Sequence, residues 1–472
     1  MKPRSRAKRS HAPSPLRRLG VVGLSSIEAP ILAALATESP LLLIGPHGTA
    51  KTLLLLRTAE ALGLAARHYN ASLLNFDDLV GFPLPGKDGG LEYARTPAAI
   101  WGAGAVVFDE ISRCRPDIQN KLFPIIHERK VQGVALDDLR HRWAAMNPPT
   151  TDDDDEHGYA GSEPLDAALA DRFPFVVQMP GYAEFSEADQ LAIIRAQGAP
   201  VAAADARSFA DAVVRTRRLL AAQADEVAAG AARYVHTVIA LLLQAGLPLS
   251  PRRGNMLWRS VRAVLAAAQA LDPGASASDA ALLALRSGLP QRAQGLAVPE
   301  AKVLAAHREA MRVAELEDDD PLRAILCATE PLERFMLATA AGSLTKRDFS
   351  GVVADVLAQL SDGVREAAIV HIFETGAVGR LNAAVAAQAG ETYRELATPP
   401  KFSQAMHATQ PRYKAWSRVK ELLSRLDPSE PRAHLQANAM ASLFVRERLL
   451  SPEAVDAAFA AFAETDQLLR AS

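Results

Sequence analysis

Eight consecutive residues, Gly45-Pro46-His47-Gly48-Thr49-Ala50-Lys51-Thr52, carry the chemistry for gripping a dense anion. They lie between the apolar run Leu41–Ile44 and a stretch, 51–62, whose apolar residues recur at helical spacing. A triphosphate needs free backbone N–H groups at a helix N-terminus, small residues that let the backbone approach, a lysine reaching its terminal oxygens and a hydroxyl for Mg²⁺. Gly45, Gly48, Lys51 and Thr52 supply those parts, so the segment is predicted to be a phosphate-binding loop. Ala50 stands where such loops usually have glycine, an exchange that costs only backbone latitude as long as its φ is negative.

A loop of this kind calls for a carboxylate at the tip of another buried strand, and Val106-Val107-Phe108-Asp109-Glu110 provides two. Asp109 is predicted to hold Mg²⁺ through water, and Glu110 to act as general base or orienter for the attacking water. Asn147, closing the apolar run Ala144-Ala145-Met146, is placed to position that water, and the alternative is an asparagine that merely starts a turn before Pro148. Charge that develops in phosphoryl transfer asks for an arginine. Arg172, in Asp171-Arg172-Phe173, is the first candidate, and Arg252, in Ser250-Pro251-Arg252-Arg253, is the second. Surface salt bridges are the plain alternative for both.

The elements that must hold these residues can be read from periodicity. Between Pro40 and Pro180, short apolar runs at 41–44, 67–70, 105–108, 143–146 and 175–177 alternate with helical patterns, which predicts a parallel sheet covered by helices. Pro116 sits where a first-turn proline belongs, opening a helix through Ile118, Leu122, Ile125 and Ile126. Beyond Tyr182 the β-branched runs vanish and Ala/Leu-rich helical patterns take over, as in 232–244 and 261–271. The expected order is a disordered basic tail (1–24), an α/β nucleotide-binding core (25–182), a helical lid (183–297) and a further helical region (298–472). Helical breaks are expected near 318–321, 399–400 and 428–431.

Together these residues resemble the MoxR branch of the AAA+ ATPases over roughly residues 25–297. The specific marks are the phosphate loop with alanine before lysine, the stretch from Phe108-Asp109-Glu110-Ile111 through Pro116 and Gln119 to Leu122, and the later Glu128-Arg129-Lys130-Val131. Ser112 departs from the family's usual asparagine. Gly158-Tyr159-Ala160-Gly161, with Pro164-Leu165 and Asp171-Arg172-Phe173, is similar to the CbbQ/NorQ relatives. The resemblance implies an αβα sandwich that binds and hydrolyses ATP with Mg²⁺, Asn147 as sensor 1, Arg252 as sensor 2 and Arg172 acting on a neighbour's nucleotide. It also implies a ring, usually a hexamer, that remodels a protein client, commonly with a von Willebrand factor A partner. Segments 82–93 and 131–143 read as turns between short strands, either client contacts or solvent hairpins.

The 472 residues suffice for about three domains, and 49% hydrophobic with 22% charged residues is globular composition. No uninterrupted apolar run approaches the roughly 20 residues of a membrane helix. A net charge of −2 gives no bulk attraction to nucleic acid. Cys114 and Cys327, without ligand spacing, form neither a disulfide framework nor a zinc site, and reducing cytoplasm is the expected location. The acidic run 152–156 lacks the glycine of a calcium loop, and Asn120-Lys121-Leu122-Phe123 lacks the aspartate of a guanine-reading motif, so ATP is preferred over GTP. His371, His407 and His434 have no metal-ligand spacing. The basic and aromatic residues of 412–420 suggest either nucleic-acid contact or an amphipathic helix built on Trp416, Val419, Leu423 and Leu426. Two further function classes therefore stay open: a nucleic-acid-associated motor, and a nucleotide-gated scaffold with weak hydrolysis.

Overall fold

A computed structural model describes residues 14–85, 91–94, 96–149, 162–196, 198, 200–317, 319–398, 407, 409–427, 429–430 and 432–471. The chain divides into two compact units, Met1–Glu315 and Leu316–Ser472.

The first unit is built on a five-stranded sheet, all of whose pairs are parallel. Its strands are β1 (Leu41–Ile44), β2 (Ala66–Asn70), β5 (Ala105–Asp109), β8 (His141–Met146) and β9 (Phe175–Gln178), ordered β2-β5-β8-β1-β9. Each is one of the five apolar runs read from the sequence. Two antiparallel hairpins supply β3 (Phe82–Pro85) with β4 (Leu91–Ala94), and β6 (Lys130–Val131) with β7 (Val134–Ala135). Strand residues alternate between faces, so the sheet feeds two cores. Leu41, Leu43, Trp143, Ala145 and Phe175 enter one core with α2 (Glu28–Ala36) and α3 (Lys51–Ala61). Leu42, Ile44, Phe108, Ala144 and Val176 enter the other with α5 (Pro116–Glu128), whose first residue is Pro116 as expected. Helices α4 (Phe76–Val80) and α6 (Ala167–Ala170) are short connectors.

The first residues differ from the expected disordered tail. Residues 14–24 are ordered because Leu16, Leu19, Val21 and Leu24 bury themselves in the first core among the basic residues. Helix α1 (Pro15–Arg18) is capped by Ser14, and the Glu28 carboxylate accepts from the Leu16 N–H at 2.7 Å and from the Ser14 hydroxyl at 2.6 Å. Residues 1–13 lie outside the described residues, as do the acidic run 152–156 and the segment 158–161.

Helices α7 (Glu187–Ile194), α8 (Ala203–Ala221), α9 (Asp225–Gln244), α10 (Pro251–Leu271), α11 (Ala277–Arg286) and α12 (Glu300–Ala314) complete the unit. Helix α10 packs on α2, α8, α9 and α11, and α12 packs on α9. The sequence suggests a boundary at 297, whereas the packing divides the chain after Glu315. Among the described residues α9 alone has the length and apolarity of a membrane span. Arg233 interrupts it, and Tyr234, Val235, Val238 and Leu242 are buried in the unit's own core.

The second unit is helical throughout its described residues, with α13 (Pro321–Cys327), α14 (Pro331–Ala340), α15 (Lys346–Gln359), α16 (Val364–Glu374), α17 (Ala383–Ala397), α18 (Pro411–Leu423), α19 (Ala433–Val445) and α20 (Pro452–Ala471). Val419 is buried and Trp416 and Leu423 pack against the same cluster, while Leu426 lies past the helix end. Two of the basic residues on α18 are paired with carboxylates, Arg412 with Glu447 at 2.6 Å and Arg418 with Asp456 at 2.7 Å. The expected breaks at 399–400, 428 and 431 fall outside the described residues.

Candidate functional site

Strand order brings the candidate residues together. β5, β8 and β1 are neighbours, about 4.8 Å apart, and ligands of open α/β sheets sit at the C-terminal ends of such strands. Asp109 is the last residue of β5 and the first that its strand does not bury. Asn147 follows the fully buried β8, and the Gly45 N–H donates to the Met146 carbonyl at 3.2 Å, which keeps the ends of β1 and β8 level.

The loop from Gly45 to Ala50 turns the chain into α3. Gly48 needs its glycine for φ +78°, and at Gly45 an added Cβ would meet the Met179 Cβ at 2.7 Å. Ala50 departs from expectation, since its φ is +61° with ψ 24°, the left-handed region. That conformation costs a non-glycine residue about 1–2 kcal/mol, a cost borne because the loop must reverse here to open α3 at Lys51.

Lys51 is only 8% exposed. Its ammonium donates to the Gly45 carbonyl at 2.6 Å, the Pro46 carbonyl at 2.8 Å and Asn147 Oδ1 at 3.1 Å, so each of its three protons has an acceptor. Burial pulls the Lys51 pKa down, and the charges of Asp109 and Glu110 pull it back. The Thr52 hydroxyl donates to Asp109 Oδ2 at 2.6 Å, and Asp109 Oδ1 accepts from the Glu110 N–H at 3.0 Å. A hydroxyl and a carboxylate in contact beside an ammonium are the donor set that Mg²⁺ and a triphosphate require, so the residues fit that pair. Glu110, at φ +53°, makes no bond to Thr52 and has Arg113 at 3.6 Å.

A cavity of about 510 Å³ opens beside the loop, lined by Gly45 and Pro46, by the apolar Ile27, Pro30 and Met179, and by Arg286 and Arg292. Its size is that of a small-molecule site, with room for a purine ring. Arg252 and Arg172 do not line it. Arg252 lies 3.7 Å from Asp171, and Arg172 donates to the Ala168 carbonyl at 2.7 Å with its guanidinium 4.5 Å from the Phe123 ring centre.

Sequence reasoning missed several residues here. Arg253, next to the favoured Arg252, is 0% exposed, with Nε on Asp171 Oδ1 at 3.3 Å, Nη1 on the Phe173 carbonyl at 2.7 Å and Nη2 on the Ala170 carbonyl at 3.1 Å. With Ser250, which caps α10 and donates to Asp171 at 2.9 Å, it ties the helical part to the segment carrying Arg172. His68 Nε2 stands 3.5 Å from Asp109 Oδ2. Ser162 Oγ lies 3.1 Å from both Ser112 Oγ and the Asn147 carbonyl, which gives the unusual serine at 112 a part in holding Asn147. A single arginine beside a candidate, or a histidine two residues before a strand end, leaves no periodic signal.

Residues 40–173 match the family model of the AAA domain, dynein-related subfamily. The chain carries an AAA+ ATPase domain. That domain is a nucleotide-binding one, and the match spans β1 to the segment just before β9. No curated protein matches the sequence. Among solved structures, a Cytophaga hutchinsonii protein whose ATPase assignment is itself provisional aligns with 18% identity and a TM-score of 0.44, covering 63% of this chain and 92% of the other.

Proposed function

We propose that the protein is an ATP-hydrolysing AAA+ motor of the MoxR type that remodels or activates a protein complex. The observation that carries the reading is the meeting at the ends of three neighbouring strands of Lys51, bonded to Asn147, and Thr52, bonded to Asp109. Mg²⁺-bound ATP, when present, supplies the phosphoanhydride bond whose hydrolysis drives the motion. In this reading Lys51 offsets phosphate charge, with the loop residues Gly45 to Ala50 around it, and Thr52 and Asp109 hold the cation. Glu110 takes the proton of the attacking water, and Asn147 orients that water.

Arg172 acts on the nucleotide of a neighbouring subunit, a role supported by its standing off the cavity beside Gly45, and Arg252 serves as sensor 2 on the lid. The working form is then a ring, a hexamer in this reading, with residues 183–297 as its lid. A von Willebrand factor A partner and a protein client complete the assembly. Phe82, Leu84 and Val134, exposed on the two hairpins, are suited to contact that client. The cytoplasm is the proposed location, in keeping with Cys114 and Cys327 standing outside any disulfide.

Glu110→Gln tests the chemistry: it should retain ATP while turnover falls by about 10²-fold or more. Wild-type turnover in this variant overturns the assignment. Mixing Arg172→Ala with Lys51→Ala subunits tests the shared site, because activity in the mixture above that of either alone requires groups from two chains at one nucleotide.

A further inference from the structure

Four arginines gather at the edge of the sheet opposite the Lys51 loop. There, Thr37 to Pro40 lead into β1, Arg142 is the second residue of β8, and Phe175 opens β9. Four residues of β1, at roughly 3.3 Å each, separate this edge from the phosphate loop. A cavity of about 220 Å³ opens at the edge, lined by the guanidinium-bearing Arg129, Arg142, Arg172 and Arg259 against one carboxylate, Glu38. At roughly 30 Å³ per water, the space exceeds that of a small hydrated ion.

The single carboxylate is already taken. Glu38 pairs with Arg129 at 3.5 Å, with Arg217 at 3.3 Å and with Arg140. Arg142 is 4% exposed, and its bonds go to the carbonyls of Ile126 at 3.1 Å, Glu38 at 2.8 Å and Arg140, with no carboxylate in ion-pair range among the described residues. A buried guanidinium held only by carbonyl dipoles keeps its full charge to satisfy. Burial first, and then repulsion from Arg129, pull the Arg142 pKa down to about 10. His127, on the same wall, is pushed down by burial and by Arg252 and Arg172.

A second, independent observation points into the same space. Ser260, another lining residue, is 2% exposed, and its hydroxyl has no partner. Buried hydroxyls are seldom left so, and one facing a cavity rimmed with arginines is the donor an oxyanion completes. We propose that this cavity binds a phosphate-class oxyanion, gripped by Arg142 and Arg259 and completed by the Ser260 hydroxyl. The free-anion source goes beyond the motor reading and stands whether or not the chain turns over ATP, whereas the second-copy source rests on that reading. Two sources share this chemistry: free phosphate or pyrophosphate, and the phosphates of a nucleotide carried by a second copy of the chain.

The test uses the full chain with Lys51→Ala, so that the phosphate loop does not compete. Inorganic phosphate and pyrophosphate are titrated against chloride at matched ionic strength, and thermal midpoints are read. A parallel arm adds ATP-loaded Glu110→Gln copies instead. Arg142→Gln would also remove buried bonds and can fail to fold, so Arg259→Gln, at an exposed position, and Ser260→Ala carry the comparison. A saturable rise in the midpoint is expected, with the apparent affinity weakened about tenfold by Arg259→Gln and severalfold by Ser260→Ala. A rise with phosphate assigns the site to a free anion, and a rise only with the loaded copies assigns it to a neighbour's nucleotide. No saturable rise in either arm, or a rise undiminished in either variant, overturns the proposal.

Discussion

Arg253→Met separates two adjacent arginines that look alike in the sequence. Methionine keeps a flexible unbranched stem and deletes the guanidinium fork. Three donations disappear: the Phe173 carbonyl loses its Arg253 donor, and the Ala170 carbonyl is left with the Phe173 N–H at 3.3 Å. Each deprived acceptor costs about 1–3 kcal/mol, and breaking a buried ion pair from one side costs about 3–5 kcal/mol. Asp171 keeps the Ser250 hydroxyl at 2.9 Å and Arg252 at 3.7 Å, which holds the expected loss to about 3 kcal/mol. For a unit of this size about 2 °C accompanies each kcal/mol, so the midpoint should fall by about 6 °C. Calorimetry reads it, and the relevant transition is the one that Mg²⁺-ATP displaces upward. Arg252→Met, which removes an exposed pair, should cost about 0–1 kcal/mol in the same assay. If the two variants melt alike, or Arg252→Met melts lower, the assignment of Arg253 as the buried tie is wrong.

Ala50→Gly should stabilise the first unit by up to about 1 kcal/mol, because relief of left-handed strain of about 1–2 kcal/mol outweighs glycine's entropic cost of about 0.5–1 kcal/mol. A lowered midpoint would contradict that backbone conformation. Lys51→Ala should abolish the thermal shift caused by ATP, since it removes the buried ammonium at the loop; a shift of wild-type size counts against the cradle. His141, whose pKa burial lowers to about 4, should make the fold sensitive to acid. The unfolded imidazole takes its proton near pH 6.5 and the folded one near 4, so the unfolded state binds more protons between those values and stability falls as pH drops through them. The full loss is about 3 kcal/mol, and His141→Gln should flatten the slope of urea midpoint against pH in that window.

The local pattern determined the strands and the order of the motifs. Five apolar runs, each bounded by turn residues or a helical repeat, read as buried strands, and all five are strands of the parallel sheet. The small residues between β1 and α3 marked the phosphate loop because backbone approach to an anion leaves its mark on residue type. Which strands would be neighbours was a different matter. Asp109 reaches Thr52, and Asn147 reaches Lys51, only because β5, β8 and β1 lie side by side, and that order is decided by long-range packing of the two sheet faces. The same holds for Ala50, whose positive φ belongs to the loop's closure and not to its residue type. Leu16 and Leu19 turned a basic stretch into ordered chain once a core was there to receive them. Arg252 and Arg253 differ by one position in the sequence, yet a helix turns 100° per residue, so one faces Asp171 from solvent and the other is sealed beneath it.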